Sequence, residues 1–267
     1  MSEKILLITF LHLLCTTLVF WLLLFISLKK KCYRAVFSTI IGLRYEKSYR
    51  CGEILLTAGI LSNFFLVIFQ KSFIFSPAVD LTGLFLEWED PVTGFFLHHR
   101  HYLFDYLAAF SYFLLFPALL LLVMPILDYT GNEKAFKLYL ESMGITLLIA
   151  LPYFALVEVR EVWMNFSPGS YFSSSEICQT FFNLRSFNFQ GNCFPSIHTA
   201  LTIIAVYSIC KTKCPGYIIL AMICGILILA SILVLGIHWI IDMLGGILTS
   251  WIALKLAKKL QNIRQPS

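Results

Sequence analysis

Long apolar stretches separated by shorter polar intervals dominate the pattern of hydrophobic and polar positions along the chain. A helix needs about 20 residues to cross a bilayer core roughly 30 Å thick. The pattern therefore predicts seven membrane-spanning helices, of which the fifth is short. They cover residues 5–28, 54–75, 103–127, 140–157, 195–210, 217–235 and 239–256.

Two polar intervals stand out between these stretches. Residues 76–102 mix acidic side chains and a cluster of three histidines and one arginine, His98 to His101, with Leu and Phe, which favours a short interfacial helix. Residues 167–192 are rich in Ser, Asn, Gly and Phe and predict a structured cap over one end of the bundle. Neither interval is long enough for a soluble domain.

Composition assigns the chain to the membrane class. Hydrophobic residues make up 59% of it and charged residues only 13%, which excludes an ordinary soluble globular domain. The formal net charge is +5. Membrane topology and anionic lipid account for that charge, so we expect no nucleic-acid partner.

The basic residues predict the orientation, because Lys and Arg concentrate in cytoplasmic loops. The segments predicted to lie inside hold Lys29, Lys30, Lys31, Arg34, Arg44, Lys47, Arg50, Lys134, Lys137, Lys211, Lys213, Lys255, Lys258, Lys259 and Arg264. The outer segments hold Lys4, Lys71, Arg100, Arg160 and Arg185. This bias predicts an outer N-terminus, an inner C-terminus, and a non-cytoplasmic position for the starts of the fifth and seventh helices.

Each of those two helix starts carries a histidine. His238 and Asp242 are four residues apart, which places them on one helical face. A carboxylate there can accept a hydrogen bond from the N–H of one ring nitrogen, which leaves the other ring nitrogen as a nucleophile or base. Ionisable groups near a helix start within a membrane are costly and commonly functional. The structural alternative is an interfacial histidine with a capping aspartate.

His198 stands in the segment Pro195-Ser196-Ile197-His198 at the start of the fifth helix. Pro195 suits the first helical turn, and the Ser196 hydroxyl can bond the exposed amides there. Free amides, a hydroxyl and an imidazole together favour an anion site, with phosphate as the obvious anion. The alternative is an interfacial aromatic side chain with no chemical role.

Pro195-Ser196-Ile197-His198 resembles the P-S-G-H motif of the type 2 phosphatidic acid phosphatase superfamily. Ser231, His238 and Asp242 fit the register of that family's third motif, S-R-x5-H-x3-D. The resemblance implies a phosphohistidine mechanism in which His238 attacks phosphorus, Asp242 orients His238, and His198 protonates the departing oxygen. It implies no cofactor and no metal.

The same resemblance implies an all-α polytopic membrane bundle, with a six-helix phosphatase-type core and one extra N-terminal transmembrane helix. Residues 1–50 would hold that helix and a basic cytoplasmic loop. Residues 51–258 would form the catalytic core, and residues 259–267 would be a cytoplasmic tail. The expected partners are membrane lipids and a lipid phosphate or phospholipid substrate, and the sequence leaves the oligomeric state open.

Several positions depart from the family's motifs. Ile197 replaces a glycine, and Ile232 replaces the arginine of the third motif. In the first motif, K-x6-R-P, Arg160 is matched while Tyr153 and Glu161 stand at the Lys and Pro positions. We expect Arg160 to bind phosphate together with Ser196 and Tyr153, and Arg185 or the cluster at 98–101 to replace the missing cations, because a guanidinium fork matches phosphate oxygens.

With these departures, the motif pattern resembles that of the branch that contains inositol phosphorylceramide synthase and sphingomyelin synthase. Members of that branch transfer a phospho-headgroup to a lipid hydroxyl. The sequence thus favours a membrane lipid phosphatase or phosphotransferase acting at the non-cytoplasmic face. Two other classes remain as alternatives. One is a catalytically inactive lipid-binding protein of the same fold, and the other is a transporter, which would carry more charged or helix-breaking residues near the middle of its spans.

Three remaining features keep two interpretations each. Cys178 and Cys193 fall in the same predicted outer loop, where a disulfide is permitted, and both can equally be thiols. The cluster at 98–101 suits headgroup contact better than metal binding, since adjacent residues of a helix diverge around its axis. Asn165-Phe166-Ser167 matches a glycosylation acceptor, although Pro168 follows it.

Overall fold

The computed structural model describes residues 3–28, 32–45, 49–72, 77–98, 102–165 and 191–264. Within them the chain forms an all-α bundle, as the sequence predicts. Its α-helices are α1 (Glu3–Leu28), α2 (Cys32–Tyr45), α3 (Arg50–Lys71), α4 (Thr82–His98), α5 (Tyr102–Phe110), α6 (Phe116–Tyr129), α7 (Glu133–Leu156), α8 (Ile197–Cys210), α9 (Pro215–Val234) and α10 (Ile240–Arg264).

Three short elements complete the described fold. A π-helical turn, Ser111–Leu115, joins α5 to α6 into one continuous helical segment. A 3₁₀ turn covers Val162–Asn165. Two-residue strands β1 (Val79–Asp80) and β2 (Val157–Glu158) pair in parallel, which ties the segment before α4 to the end of α7.

Six of the seven predicted spans are long and apolar enough to cross a membrane. These segments are Leu11–Leu28, Arg50–Lys71, Leu103–Tyr129, Glu133–Leu156, Pro215–Val234 and Ile240–Arg264. The fifth, α8, has only 14 residues and is shorter than a full span, as the sequence pattern indicates. The chain is therefore an integral membrane protein with a multi-helix bundle.

Several boundaries differ from the sequence prediction; α10, for example, runs to Arg264, past the predicted end at residue 256. Helix α7 begins at Glu133, seven residues before the predicted start, because Asn132 caps it by accepting a hydrogen bond from the Ala135 amide. The first turn of α7 contains charged residues, so the apolar pattern does not predict it. Helix α2 lies within the interval predicted to be a basic loop, where mixed basic and apolar residues form a helix of 14 residues, too short for a span.

Close helix contacts hold the bundle together. Helices α3 and α7 meet at Gly52, Gly59 and Gly144. A Cβ atom on Gly144 would lie 2.4 Å from the carbonyl carbon of Leu55, so the α3 backbone occupies the space of a side chain. Small residues permit this approach between membrane helices, where packing rather than water exclusion drives association.

The bundle has two distinct ends. At one end, the Gln70 side chain bonds Asn192 at 3.0 and 3.2 Å, near the strand pair and the start of α8. At the other end, the Asn132 side chain donates to the Lys211 carbonyl at 2.9 Å, and Arg264 pairs with Glu141 at 2.8 Å. The segments predicted to lie inside, at 132–137, 211–213 and 255–264, therefore gather away from both histidines.

Candidate active site

The sharp turn after α9 places His238 at the site. Gly236 adopts φ +63°, a left-handed conformation that glycine tolerates best. The Ile237 amide bonds the Ile232 carbonyl at 2.9 Å, and the Gly236 amide bonds that of Leu233 at 2.9 Å. This is the Schellman pattern of a helix end, supported by contact between the apolar side chains of Ile232 and Ile237. The turn ends α9 shortly before His238 and directs the chain into α10.

The N-terminus of α8 places His198. The Ser196 hydroxyl caps this helix, accepting hydrogen bonds from the Thr199 amide at 3.2 Å and the Thr199 hydroxyl at 3.0 Å. The Ser196 amide donates to the Asp242 carbonyl at 3.0 Å. Ser196 is fully buried. Its hydroxyl therefore anchors α8 within the protein, and its assignment as a phosphate ligand stays a prediction.

The two histidines, 40 residues apart in sequence, are in direct contact. Nδ1 of His198 lies 3.0 Å from Nε2 of His238, and the ring planes are tilted by 55°. His238 is only 4% exposed. Two imidazole nitrogens at this distance share one proton, so one ring donates while the other accepts. The structure thus joins the two residues that the sequence predicts as acid and nucleophile.

Asp242 completes the line of groups. Its Oδ2 lies 3.3 Å from Nδ1 of His238 and accepts the Trp239 amide at 2.9 Å. The Asp242 side chain is fully buried. A carboxylate at Nδ1 fixes the tautomer of His238 with its lone pair on Nε2, the nitrogen that faces His198. We call His198, His238 and Asp242 the triad.

Close packing of α8 on α10 holds these residues in register. A Cβ atom on Gly246 would lie 2.5 Å from the Ser196 carbonyl oxygen and 2.9 Å from Cβ of Thr199. A side chain at position 246 would push the two helix starts apart. The glycine therefore lets Asp242, one turn earlier on α10, reach the backbone of Ser196.

Tyr112 is a site residue that the sequence did not reveal. Its hydroxyl lies 3.0 Å from Nε2 of His198, and the two rings are 4.8 Å apart between centroids. Tyr112 is 5% exposed and belongs to the π-helical turn. π-Helical turns are often found at functional sites. A run of apolar residues gives no sign of such a turn, so one tyrosine among many could not be singled out.

We expect Tyr112→Phe to lower kcat about 3- to 10-fold, because a single neutral hydrogen bond contributes about 1 kcal/mol. The change also alters the pH–rate profile, since the phenol contacts an ionisable imidazole. Tyr139→Phe is the matched control, because that buried hydroxyl bonds the Leu120 carbonyl at 2.8 Å, away from the triad. Equal losses in both variants, with unchanged pH profiles, would contradict a role for Tyr112 at His198.

Glu89 of α4 occupies the N-terminus of α10. Its two carboxylate oxygens accept the amides of Ile240 at 2.6 Å and Ile241 at 2.7 Å. Burial raises the pKa of Glu89, the two amide bonds lower it, and the negative charge of Asp242 adds to the rise. A helix N-terminus favours anions. Here a protein carboxylate already fills that position, so phosphate must be bound elsewhere around the histidines.

Arg160 lies close to the triad through its backbone. The Trp239 indole N–H donates to the Arg160 carbonyl at 2.9 Å, next to His238. Its guanidinium contacts two carboxylates, Glu158 at 2.9 Å and Asp80 at 3.4 Å, and is about half exposed. The hydrogen bond to Glu158 and the charge of that carboxylate raise the pKa of Arg160. A bound phosphate would have to share this guanidinium with the two carboxylates. The role of Arg160 as a phosphate ligand stays a prediction.

The remaining predicted phosphate ligands have no described contact with the triad. Tyr153 is 42% exposed and packs its ring edge against Phe194, which precedes the Pro195 segment. Ile232, at the family's arginine position, is fully buried in an apolar cluster with Tyr112 and Ile237. Arg185, Cys178 and the side chains at 98–101 lie outside the described residues, so predictions about them remain open. Asn165 donates its side-chain amide to the Glu161 carbonyl at 3.1 Å.

Glu161 stands at the proline position of the family's first motif and is buried near the triad. The Trp163 indole N–H donates to its Oε2 at 2.6 Å. Burial raises the pKa of Glu161 to about 8; the bond from Trp163 opposes this rise, and the negative charge of Asp242 adds to it. At neutral pH this side chain is therefore mainly uncharged.

This raised pKa predicts a pH-dependent stability. The folded protein holds the Glu161 proton more tightly than the unfolded chain does, because the pKa of this side chain is near 4.5 in the unfolded chain. The stabilisation is complete below pH 4.5 and is lost as the pH rises through 8, by on the order of a few kcal/mol. We expect Glu161→Gln to match wild type in unfolding temperature near pH 5 and to exceed it near pH 9. Parallel curves for the two proteins across this range would contradict the assignment.

One group of side chains could hold a metal ion. The ligand atoms of Cys193, His238 and Asp242 lie within 4.8 Å of one another, and all three residues are buried. Cys193 Sγ also lies 3.4 Å from the Ile237 carbonyl oxygen. Two members of this group belong to the triad, so an ion bound there would occupy the predicted nucleophile and its orienting carboxylate.

The chain matches the sequence profile of a known protein family. The sequence profile of the PAP2 superfamily matches residues 82–256, about two thirds of the chain. The matched region begins with α4 and includes all three triad residues and Arg160. Searches of curated proteins and of solved structures each found no match.

Proposed function

Because the chain belongs to the PAP2 superfamily, whose members are generally phosphatases and phosphotransferases, we propose that it is a membrane-embedded lipid phosphatase or phosphotransferase. The reaction passes through a phosphohistidine on His238. The contact between Nδ1 of His198 and Nε2 of His238 at 3.0 Å, backed by Asp242, carries this proposal. In this proposal His198 is the acid and His238 is the nucleophile, with its tautomer fixed by Asp242.

In the first step, the Nε2 lone pair of His238 attacks phosphorus, and the bond from phosphorus to the leaving oxygen breaks. His198 enters as imidazolium, gives its Nδ1 proton to the leaving oxygen and becomes neutral. Asp242 stabilises the positive charge that develops on the phosphorylated imidazole. Tyr112, at Nε2 of His198, holds that ring in place through both protonation states.

In the second step, water or a lipid hydroxyl attacks the phosphohistidine. Neutral His198 takes the proton of the attacking hydroxyl at Nδ1, and the bond from Nε2 of His238 to phosphorus breaks. Both histidines return to their starting states. Hydrolysis and transfer therefore share these residues and differ only in the acceptor.

The charges around the triad favour a phosphodiester over a doubly charged monoester. Glu89 fills the N-terminus of α10, Arg160 is already paired with carboxylates, and an apolar cluster surrounds Ile232. Among the described residues, few cations are left to balance two negative charges. This pattern supports headgroup transfer between lipids, as in the branch that contains inositol phosphorylceramide synthase and sphingomyelin synthase. We place the site on the non-cytoplasmic side, on the distribution of basic residues.

The direct test offers purified protein a lipid phosphomonoester and a phosphodiester lipid, each with and without ceramide or diacylglycerol as acceptor. We expect the headgroup to appear on the acceptor, with the diester as donor, and His238→Ala to remove this product. Phosphate release from the monoester alone would refute the transferase proposal and retain the phosphatase. No turnover of either donor by wild-type protein would refute both.

A catalytically inactive lipid-binding protein is the second candidate. The carboxylates around Arg160 and the Glu89 carboxylate at the start of α10 favour it, because both reduce the positive charge available to phosphate. Binding of the diester lipid with equal affinity by wild type and His238→Ala, without product from either, would support this candidate.

A further inference from the structure

A basic cavity lies at the end of the bundle opposite the histidines. It has a volume of about 460 Å³ and is lined by Lys134, Lys211, Lys258, Asn132, Gln261 and Tyr207, with three further residues. This volume lies within the range of small-molecule sites. The three lysines come from different parts of the chain: the first turn of α7, the residue after α8, and the last part of α10.

Two of these lysines converge on one aromatic ring. The Lys211 ammonium lies 4.5 Å and that of Lys258 5.0 Å from the centroid of Tyr207. Two positive charges brought to the same ring repel each other. A bound anion would relieve this repulsion.

The nearby carboxylates are already used by other cations. Glu133 pairs with Lys137 at 2.6 Å, and Glu141 pairs with Arg264 at 2.8 Å and accepts from Gln261 at 3.0 Å. Among the described residues, the cavity lining contains no carboxylate. The cavity therefore combines three cations with amide donors and a hydroxyl, which are groups that bind phosphate oxygens.

The cavity is separate from the triad. Lys211 follows His198 by 13 residues along and just past α8, which corresponds to about 20 Å at 1.5 Å per residue. Likewise, α10 carries Asp242 near its start and Lys258 near its end. The two helices that hold the triad thus both end at this cavity. The positive-inside pattern assigns this end to the cytoplasmic leaflet, where anionic lipid headgroups are found.

We propose that this cavity is a second binding site, specific for an anion that carries more than one phosphate, supplied by a lipid headgroup or a soluble phosphate. The site is independent of the proposed reaction. It would tie the inner ends of α8 and α10 to the α6–α7 connection whenever it is filled.

The test measures binding to the full chain in phosphatidylcholine nanodiscs, with the His238→Ala change in every variant so that the triad does not turn over the probe. The probes are short-chain phosphatidylinositol 4,5-bisphosphate, soluble inositol 1,4,5-trisphosphate and inorganic phosphate, at constant salt. We expect Lys211→Gln with Lys258→Gln to weaken binding of the polyphosphorylated probes about tenfold or more.

Lys255→Gln with Lys259→Gln is the matched control, because it removes the same charge from α10 outside the cavity lining. We expect this pair to change affinity less than about threefold. Preference for the lipid probe would identify a headgroup as the occupant, and equal affinity for inositol trisphosphate would identify a soluble phosphate. Equal losses in both lysine pairs, or no binding of any probe to the protein with unaltered lysines, would overturn the proposal.

Discussion

Replacing His238 by alanine is expected to lower kcat by at least about 10⁴-fold with either acceptor. The change removes the nitrogen that forms the bond to phosphorus. Nucleophiles of covalent catalysis cause losses of this size when they are removed. Substrate binding should survive, because the cavity left by an imidazole does not remove the surrounding helix contacts.

Trapping the intermediate measures this directly. Protein is mixed with substrate labelled in the transferred group, quenched without acid because phosphohistidine is acid-labile, and assayed for label on the chain. Wild type should retain label and His238→Ala should not. His12→Ala is a control for losing an imidazole, since His12 contacts the Phe113 carbonyl at 2.7 Å and belongs to α1. Label on His238→Ala would exclude His238 as the nucleophile.

Replacing His198 by alanine is expected to slow the reaction by about 10²- to 10⁴-fold when the leaving group is an alkoxide, the usual range for a general acid. For release of the leaving group in a single turnover, the loss should shrink to less than about tenfold with a nitrophenyl ester, because the base role of His198 belongs to the second step. A nitrophenolate departs without a proton, so it no longer needs the Nδ1 proton of His198. His238→Ala should remain inactive with both esters.

This difference between leaving groups separates two roles that the structure places in contact. If His198 only held His238 in position, its loss would slow both esters equally. A single-turnover comparison of leaving-group release from the two esters therefore decides between acid and positioning roles. Unfolding temperatures of the variants check that the packing of α8 on α10 is retained.

The sequence alone was sufficient for the helical architecture. Water cannot satisfy backbone groups within a bilayer, so apolar runs of sufficient length become helices whatever their neighbours. It also identified His198, His238 and Asp242, because polar side chains at the starts of apolar helices require a local reason. Boundaries marked by charged residues were less predictable: Glu133 and Lys134 open α7 although they interrupt the apolar pattern.

The surroundings of these residues could not be predicted from the sequence. Tyr112 reaches His198 only because a π-helical turn rotates it there, and Glu89 reaches the amides of α10 from a helix about 150 positions earlier in the chain. The Asp80 carboxylate reaches Arg160 through the β1–β2 pairing, which brings Asp80 beside residue 158. Each is a contact between distant segments.

What the sequence determined is thus the set of helices and the chemical groups at their starts, because hydropathy and local spacing act within a single segment. Only the tertiary structure decided that Nδ1 of His198 meets Nε2 of His238 and that the Glu89 carboxylate occupies the N-terminus of α10. It also decided that three lysines from separate segments share one cavity. Those outcomes depend on how helices pack through contacts such as that of Gly246 with Ser196, and no local pattern encodes such packing.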